Sequence, residues 1–595
     1  MNQLTRFQLL LILHLPILFI ACREKAAEKG NIHVQIRLAA EPDRLHPLLS
    51  RSAYAEQVHR HLYLSLLNID PSTLELRPQL ATSRPATTKG AGGQLSLTFD
   101  LDPDATWSNG QAVTPEDVLF TLKMIFNPEV PVGHYRSFLN FIKSVELDSL
   151  RSGRLHFLCK ESYLLSEAAI GLLPIFHKAS FDPNDATDRL DLNVLLQTAT
   201  ESTVTASYDS LLKTSAARFV ERLNPKGAEE QVLCGPYKVQ EWQVGQYIRL
   251  QKQGDWWGAS KAEERSALAA RPDVITYRFI PDPQSALSLL KRGELDVMSD
   301  IPLEEFKQWQ GKGLPSDALP FRLYTPLKLS YYLVALQNDH PILGEWAVRR
   351  ALAHLLDLDG FIEQKFNGTA KRIIGPIHPS KPYYHSGLEA IFFDLTKASD
   401  LLEQSGWIDT DGDGIREKQM DGERKRLKLT YKVGHKNETG KEIGLMLQQQ
   451  AAKVGIQLEM ESRVFNTLLQ EYRRGEFDLF YIAKGQLPLP DDLKQAWHSS
   501  SMQRGGSNRI GFGDAQTDAL IDSIRLQLDP RQRNPLYLSI QEAIYTRQAS
   551  IFLFSPKERI AIHERFDADV SILRPGYNPQ EFTLHKAVSS VDGSH

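Results

Sequence analysis

The sequence predicts an α/β protein with two lobes of related build, and two stretches and their likeness to each other predict it. Between Leu427 and Tyr481 the pattern reads β-α-β-α-β, which implies parallel strands joined by right-handed crossovers. Between Val274 and Val297 a shorter strand–helix–strand run has the same close. "KRGELDV" (Lys291 to Val297) and "RRGEFDL" (Arg473 to Leu479) each join a basic helix end, a glycine stop and a strand opening Glu-apolar-Asp-apolar.

The elements follow in order. Val274 to Phe279 is strand-like, and Ala286, Leu289 and Leu290 mark the helix after it. Leu427, Leu429, Tyr431 and Val433 alternate with lysines and Thr430, as in a strand with one covered face. Residues 438 to 453 carry a helical stripe through Ile443, Met446, Leu447 and Ala451, stopped by Gly455. Ile456, Leu458 and Met460 form the next strand. Phe465, Leu468, Leu469 and Tyr472 form the next helix, ended by Gly475, and Phe477, Leu479 and Tyr481 the third strand. Residues 180 to 230 are polar with weak periodicity and read as a surface insertion.

Open parallel sheets bind ligands beyond the carboxyl ends of their strands, where loops and helix N-termini gather. That points to Gly434 and His435 and to Ala483, Lys484, Gly485 and Gln486 in one lobe. In the other it points to Met298 through Ile301, including Ser299 and Asp300. Two such lobes facing each other make a cleft between them, a common place for small-molecule sites.

The chain has 595 residues, 42 % hydrophobic and 24 % charged, with a formal charge of −4, which fits an ordinary globular protein and gives no basic footprint for nucleic acid. At the N-terminus, Arg6 precedes an apolar run from Phe7 to Ala21, interrupted by Gln8, His14 and Pro16. Cys22 and the polar "REKAAEKG" follow. The run falls short of the roughly 20 residues of a bilayer span and reads as a secretory signal. Cys22 directly after Ala21 resembles the lipobox of bacterial lipoproteins, in which that cysteine is acylated, although Phe19 stands where leucine is usual. Cys159 and Cys234 are too few for a disulfide framework in so long an exported chain, and whether they pair stays open.

No catalytic signature is present: no G-x-S-x-G, H-E-x-x-H, C-x-x-C or Walker-type loop. "HRHLY" (His59 to Tyr63) reads as a surface histidine pair, and Trp256 and Trp257 as packing aromatics. "GWIDTDGDGIREK" (Gly406 to Lys418) sets Asp409, Asp411, Asp413 and Gly414 at the first, third, fifth and sixth positions of a calcium loop. The twelfth position is Met420, which has no oxygen to give. A tight turn is the first reading and a structural calcium site the second.

Several segments together resemble one family, the extracellular solute-binding proteins of ABC importers, family 5. They are Leu45 to Ala81, "LTFDLDPDATWSNGQAVTPEDVLFTLK" (Leu97 to Lys123), "CGPYKVQEWQVGQYIRLQKQGDWWG" (Cys234 to Gly258), "LLKRGELDV", "VRRALAHLLD" (Val348 to Asp357) and the Asp-rich turn itself. The resemblance implies a periplasmic-binding-protein type II fold with an extra subdomain, a ligand cleft between lobes and crossovers near residues 325–330 and 545–552. The expected division is a signal peptide at 1–21, an anchor linker at 22–30, lobe 1 with its inserted subdomain at 31–327, lobe 2 at 328–549 and a return to lobe 1 at 550–595. Expected ligand contacts are Glu41, His46, Tyr54, Ser299, Asp300, His435, Ala483, Lys484, Gly485, Gln486 and Trp497, with Cys22 lipidated. No catalytic residue and no cofactor is implied. The partners implied are a permease and ATPase, a small solute such as an oligopeptide, and the membrane through the anchor alone, with a monomer exported to the periplasm or cell surface.

One departure bears on the ligand. Peptide-binding members hold the peptide's amino group with an acidic residue a few positions beyond a Gly-Trp. In "YIAKGQLPLPDDLKQAW", Lys484 stands near the Trp position and Leu487 near the acidic one, with Asp491 and Asp492 further on. A lysine there repels an ammonium, so an anionic or neutral solute, or a blocked peptide, gains ground over peptides with a free N-terminus. The rival readings are a sensory lipoprotein of the same fold and an exported hydrolase.

Overall fold

In this computed structural model the described residues are 31–50, 52–90, 92–198, 206–221, 231–311, 320–503 and 506–585. Cys22 and the signal segment lie outside them. The second lobe follows the periodicity most closely. Leu429, Tyr431 and Val433 are fully buried along the strand Lys428–Gly434. Helix Glu438–Lys453 starts at Asn437, whose side chain accepts from the Gly440 amide. Gly440 and Gly444 let this helix lie directly on the sheet. A Cβ at Gly444 would sit 2.5 Å from the Tyr431 ring, and one at Gly440 would sit 2.7 Å from the Tyr481 ring. Gln457–Arg463 and Leu479–Gly485 flank Lys428–Gly434 in parallel. Ser330–Leu336 and Ser550–Phe552 complete a five-stranded sheet in antiparallel.

In the first lobe His33–Leu38 is central, with Val274–Phe279 and Val297–Met298 parallel on its two sides. The hairpin Tyr237–Gln243/Tyr247–Lys252 extends one edge. Ile560–His563 and Phe321–Tyr324 extend the other, which makes seven strands. An inserted four-stranded antiparallel sheet comprises Ala86–Lys89, Leu95–Asp100, Arg154–Cys159 and Ile142–Leu147. Cys159 and Cys234 are free and buried. No helix among the described residues is long and apolar enough to cross a membrane.

Three expectations change. The polar stretch 180–230 is not only surface: helix Ala206–Glu221 sends Leu212, Ala216 and Phe219 into the lobe 1 core. There the Phe219 ring meets Phe120, Phe176 and Phe181. Three apolar residues a turn apart in a polar helix are a weak periodic signal but enough to bury one face. His61 is no surface histidine. It is fully buried and bonded to the Tyr277 hydroxyl at 2.7 Å. The return to lobe 1 also starts later than residue 550. Ser550–Phe552 is a buried strand of the second sheet and Phe554–Pro556 pairs with Ala370–Arg372, so the chain re-enters the first sheet only at Ile560.

Candidate functional site

The two crossovers run side by side. Leu327 and Lys557 form an antiparallel bridge. The Lys328 amide donates to Pro556 O at 2.9 Å and the Glu558 amide to Pro326 O at 2.7 Å. The two connections are therefore tied into one hydrogen-bonded ribbon. Lys328 ties this ribbon to lobe 1 through Asp300 at 3.0 Å and pairs within the ribbon with Glu558 at 2.9 Å. Burial opposes its ammonium, but the two carboxylates outweigh burial and hold the pKa above the ordinary lysine value. Asp300 is held in the left-handed region at φ 54°, which ends the strand Val297–Met298 after two residues.

Around the ribbon several sequence-predicted residues meet. Tyr54, Ser299 and Asp300 line one polar pocket with Arg37, Ala39, Gln57, Glu558, Arg574 and Pro575. The pocket sits beyond the carboxyl ends of His33–Leu38 and Val297–Met298, where a parallel sheet presents its loops. From lobe 2, Gly485 pairs with Ser330, and the Gln486 amide donates to Leu329 O at 2.8 Å. These two residues thus flank the same crossover. Ala483 and His435 are exposed near the ends of their strands, and the His435 amide donates to Arg463 O.

Other expected contacts are spent elsewhere. His46 is fully buried against the Phe176 and Phe219 rings, so it has no surface for a ligand, and burial lowers its pKa to about 3. Trp497 is core as well, packed on Phe512 and Phe552. Glu41 uses both carboxylate oxygens on the hairpin of lobe 1, accepting from Trp242 Nε1 at 2.8 Å and the Gly245 amide at 3.0 Å. Lys484 donates to the Tyr472 hydroxyl at 3.0 Å and lies 4.9 Å from the centre of that ring. That bond uses one of the three N–H donors of the Lys484 ammonium.

The segment after Lys484 has its own framework. Lys381, buried, pairs with Asp491 at 3.2 Å and donates to Leu487 O and Leu489 O. Tyr383 and Gln486 also donate to Asp491, at 2.9 and 3.1 Å. Burial nonetheless raises the Asp491 pKa. Asp492 accepts from Arg525 Nε at 3.0 Å and from the Tyr163 hydroxyl of lobe 1 at 3.1 Å. Neither aspartate is left to hold an ammonium. The same loop closes the lobes: Leu489 packs among Tyr163, Leu164, Leu165 and Ala168, and the Leu164 amide donates to Arg525 O at 2.8 Å. Sequence reasoning missed Arg37, Gln57, Lys328, Glu558, Arg525 and Tyr163. Only Arg37 carried a signal, as a charge inside the otherwise apolar close of a strand, "VQIRL".

The Asp-rich stretch is a turn into the hairpin Glu417–Met420/Glu423–Arg426. The carboxylates of Asp409, Asp411 and Asp413 gather within 4.8 Å of one another. They are engaged by the turn: Asp409 accepts from the Gly412 and Gly414 amides at 2.8 and 2.9 Å, and Asp413 from the Ile415 amide at 3.0 Å. Arg424 and Arg426 pair with Asp411 and Asp413. Met420 lies in the hairpin strand.

Two α/β lobes joined by a paired double crossover, with polar loops gathered at the joint, define the hinged binding-protein class. The chain belongs to the bacterial extracellular solute-binding proteins, family 5, whose model matches residues 75–506. It is 24 % identical over 530 residues to the oligopeptide-binding protein AppA of Bacillus subtilis (strain 168), covering 89 % of this chain and 87 % of that one. The structure of Bacillus subtilis AppA with a nonapeptide superposes at TM-score 0.65 with 22 % identity, over 93 % of this chain and 99 % of that one. NikA of Brucella suis with Fe(III)-EDTA superposes at TM-score 0.70 with 20 % identity, over 93 % and 100 %. The periplasmic-binding-protein fold expected from the sequence is thereby shown.

Proposed function

We propose that this chain is the substrate-binding component of an ABC importer, capturing a peptide-like solute between its lobes and delivering it to a membrane permease. The observation that carries the reading is the double crossover, with Tyr54, Ser299 and Asp300 on one side of it and Gly485 and Gln486 on the other. A solute that touches both sets in the closed state alone shifts the population toward closure, and a permease reads that shape. No covalent step is involved. A peptide-like solute is favoured by the oligopeptide-binding relative. The occupied Asp491 and Asp492 direct recognition away from a free amino terminus. Cys22 carries the lipid anchor, and the protein acts as a monomer at the outer face of the membrane that holds its permease.

The test is to purify the protein natively, denature it and identify the released small molecules by mass spectrometry. Short peptides are expected. A single non-peptide species overturns the peptide assignment, and an empty protein that also captures no added peptide overturns the binding role.

A further inference from the structure

Arg37 lies in the central strand of lobe 1 and is 6 % exposed. Its Nε donates to Ile280 O at 2.9 Å and one Nη to Pro281 O at 3.1 Å, both neutral acceptors. The other Nη has neither of these partners. Arg574, exposed, lines the same pocket. Among the described residues neither guanidinium has a carboxylate within ion-pair distance, and Asp300 and Glu558 share one ammonium, Lys328; Arg37, Arg574 and Lys328 against those two carboxylates leave one net positive charge. The buried Arg37 guanidinium has carbonyls as its direct acceptors and its charge is opposed by burial, with Asp300 and Asp282 acting on it only from a distance, so an arriving anion gains a charge-assisted bond there. Gln57, 7 % exposed, lines the pocket too, and its Oε1 is buried without a hydrogen-bond partner. An orphaned acceptor of this kind asks for a donor.

Two guanidiniums and one amide oxygen match a carboxylate with an N–H beside it. We propose that the pocket formed by Arg37, Tyr54, Gln57 and Arg574 is the subsite for the carboxyl terminus of a peptide. The terminal carboxylate meets the Arg37 and Arg574 guanidiniums, and the N–H of the last residue donates to Gln57 Oε1. This rests on the peptide-like reading above and deepens it: the peptide is held by its carboxyl end in lobe 1 and the hinge, in place of an amino-end anchor in lobe 2. Lys328 offsets one of the two carboxylate charges of Asp300 and Glu558, and the two guanidiniums outweigh the other.

The test uses the mature full-length protein in detergent. It is equilibrated with a defined mixture of tri- and tetrapeptides as free acids and, separately, with the same peptides as C-terminal amides. Retained peptide is counted by mass spectrometry after gel filtration and denaturation. Free acids are expected to be retained about tenfold or more over amides, as befits a charge-assisted pairing. Arg37→Met and Arg574→Met are each expected to erode that preference, and Gln57→Leu to weaken capture of acids. Equal retention of acids and amides by the wild type overturns the subsite and leaves peptide binding standing. Retention of neither overturns both. The wild-type comparison needs no variant, so a misfolded Arg37→Met does not shield the proposal.

Discussion

The two lobes carry the same short motif and use it in the same way, yet they build different strands from it. In lobe 1, Gly293 at φ 70° ends helix Pro283–Lys291, and Asp296 accepts from the Gln35 amide of the neighbouring parallel strand at 2.7 Å. In lobe 2, Gly475 at φ 73° ends helix Phe465–Arg474, and Asp478 accepts from the Thr430 amide of its neighbouring parallel strand at 2.8 Å. In both places the aspartate satisfies a backbone donor where a strand begins. The strand that follows is two residues long in lobe 1 and seven in lobe 2. The antiparallel partner makes the difference. Ser330–Leu336 pairs with Leu479–Gly485 along seven positions, whereas Ile560–His563 offers two to Val297–Met298 before Asp300 turns away to meet Lys328. The motif sets where a strand starts, and the hinge sets where it stops.

Removing either aspartate is expected to have the largest effect. Asp296→Ala leaves the Gln35 amide and Arg565 without their acceptor in a buried setting and is expected to cost about 3 kcal/mol. Asp478→Ala, at a site 22 % exposed, is expected to cost about 1–2 kcal/mol. Denaturant unfolding of both variants checks the order, and equal costs contradict it.

Acid sharpens the contrast next. His46 and His61 are buried neutral in lobe 1 among aromatic rings, and burial lowers His46 to about 3. His378 in lobe 2, lowered to about 4 by burial, is held between Ser380 and Ser555. A histidine whose pKa falls on folding stabilises the fold fully above its unfolded value. That stabilisation fades as pH drops below about 6.5, by at most about 1.4 kcal/mol per pH unit and group. The melting temperature should therefore fall from pH 7 to pH 5, and His46→Leu should flatten the fall. An unchanged slope contradicts the assignment.

The inter-lobe contact is expected to have a smaller effect. Arg525→Ala removes the partner that fixes Asp492 toward Tyr163, a partly exposed pair worth about 0.5–1 kcal/mol. The expected result is a larger radius of gyration by X-ray scattering with the melting temperature nearly constant. A drop in melting temperature with no change in radius contradicts it. Smallest of all is calcium. Calorimetric titration is expected to give no binding heat, in the wild type as in Asp411→Ala. Heat present in the first and lost in the second contradicts the turn.

What the sequence made legible was periodic. The second lobe's parallel trio could be read because each strand covers one face, as Tyr431 and Val433 show. The candidate site was legible in part, since strand ends point to Ser299, Asp300, Gly485 and Gln486 by topology alone. His46 and Trp497 were misplaced because residue type says nothing of whether a ring faces a cleft or a core. Lys328, Glu558 and Arg525 were invisible because their partners lie far along the chain, Lys328 to Glu558 and Tyr163 to Asp492 being joined only by folding.

Closure about the paired crossovers on a bound solute makes the molecule more compact. The direct measurement is the radius of gyration of the purified protein, stripped of solute by unfolding and refolding, before and after addition of the tri- and tetrapeptide free acids. A smaller radius is expected once peptide is bound. Peptide bound at an unchanged radius would contradict it.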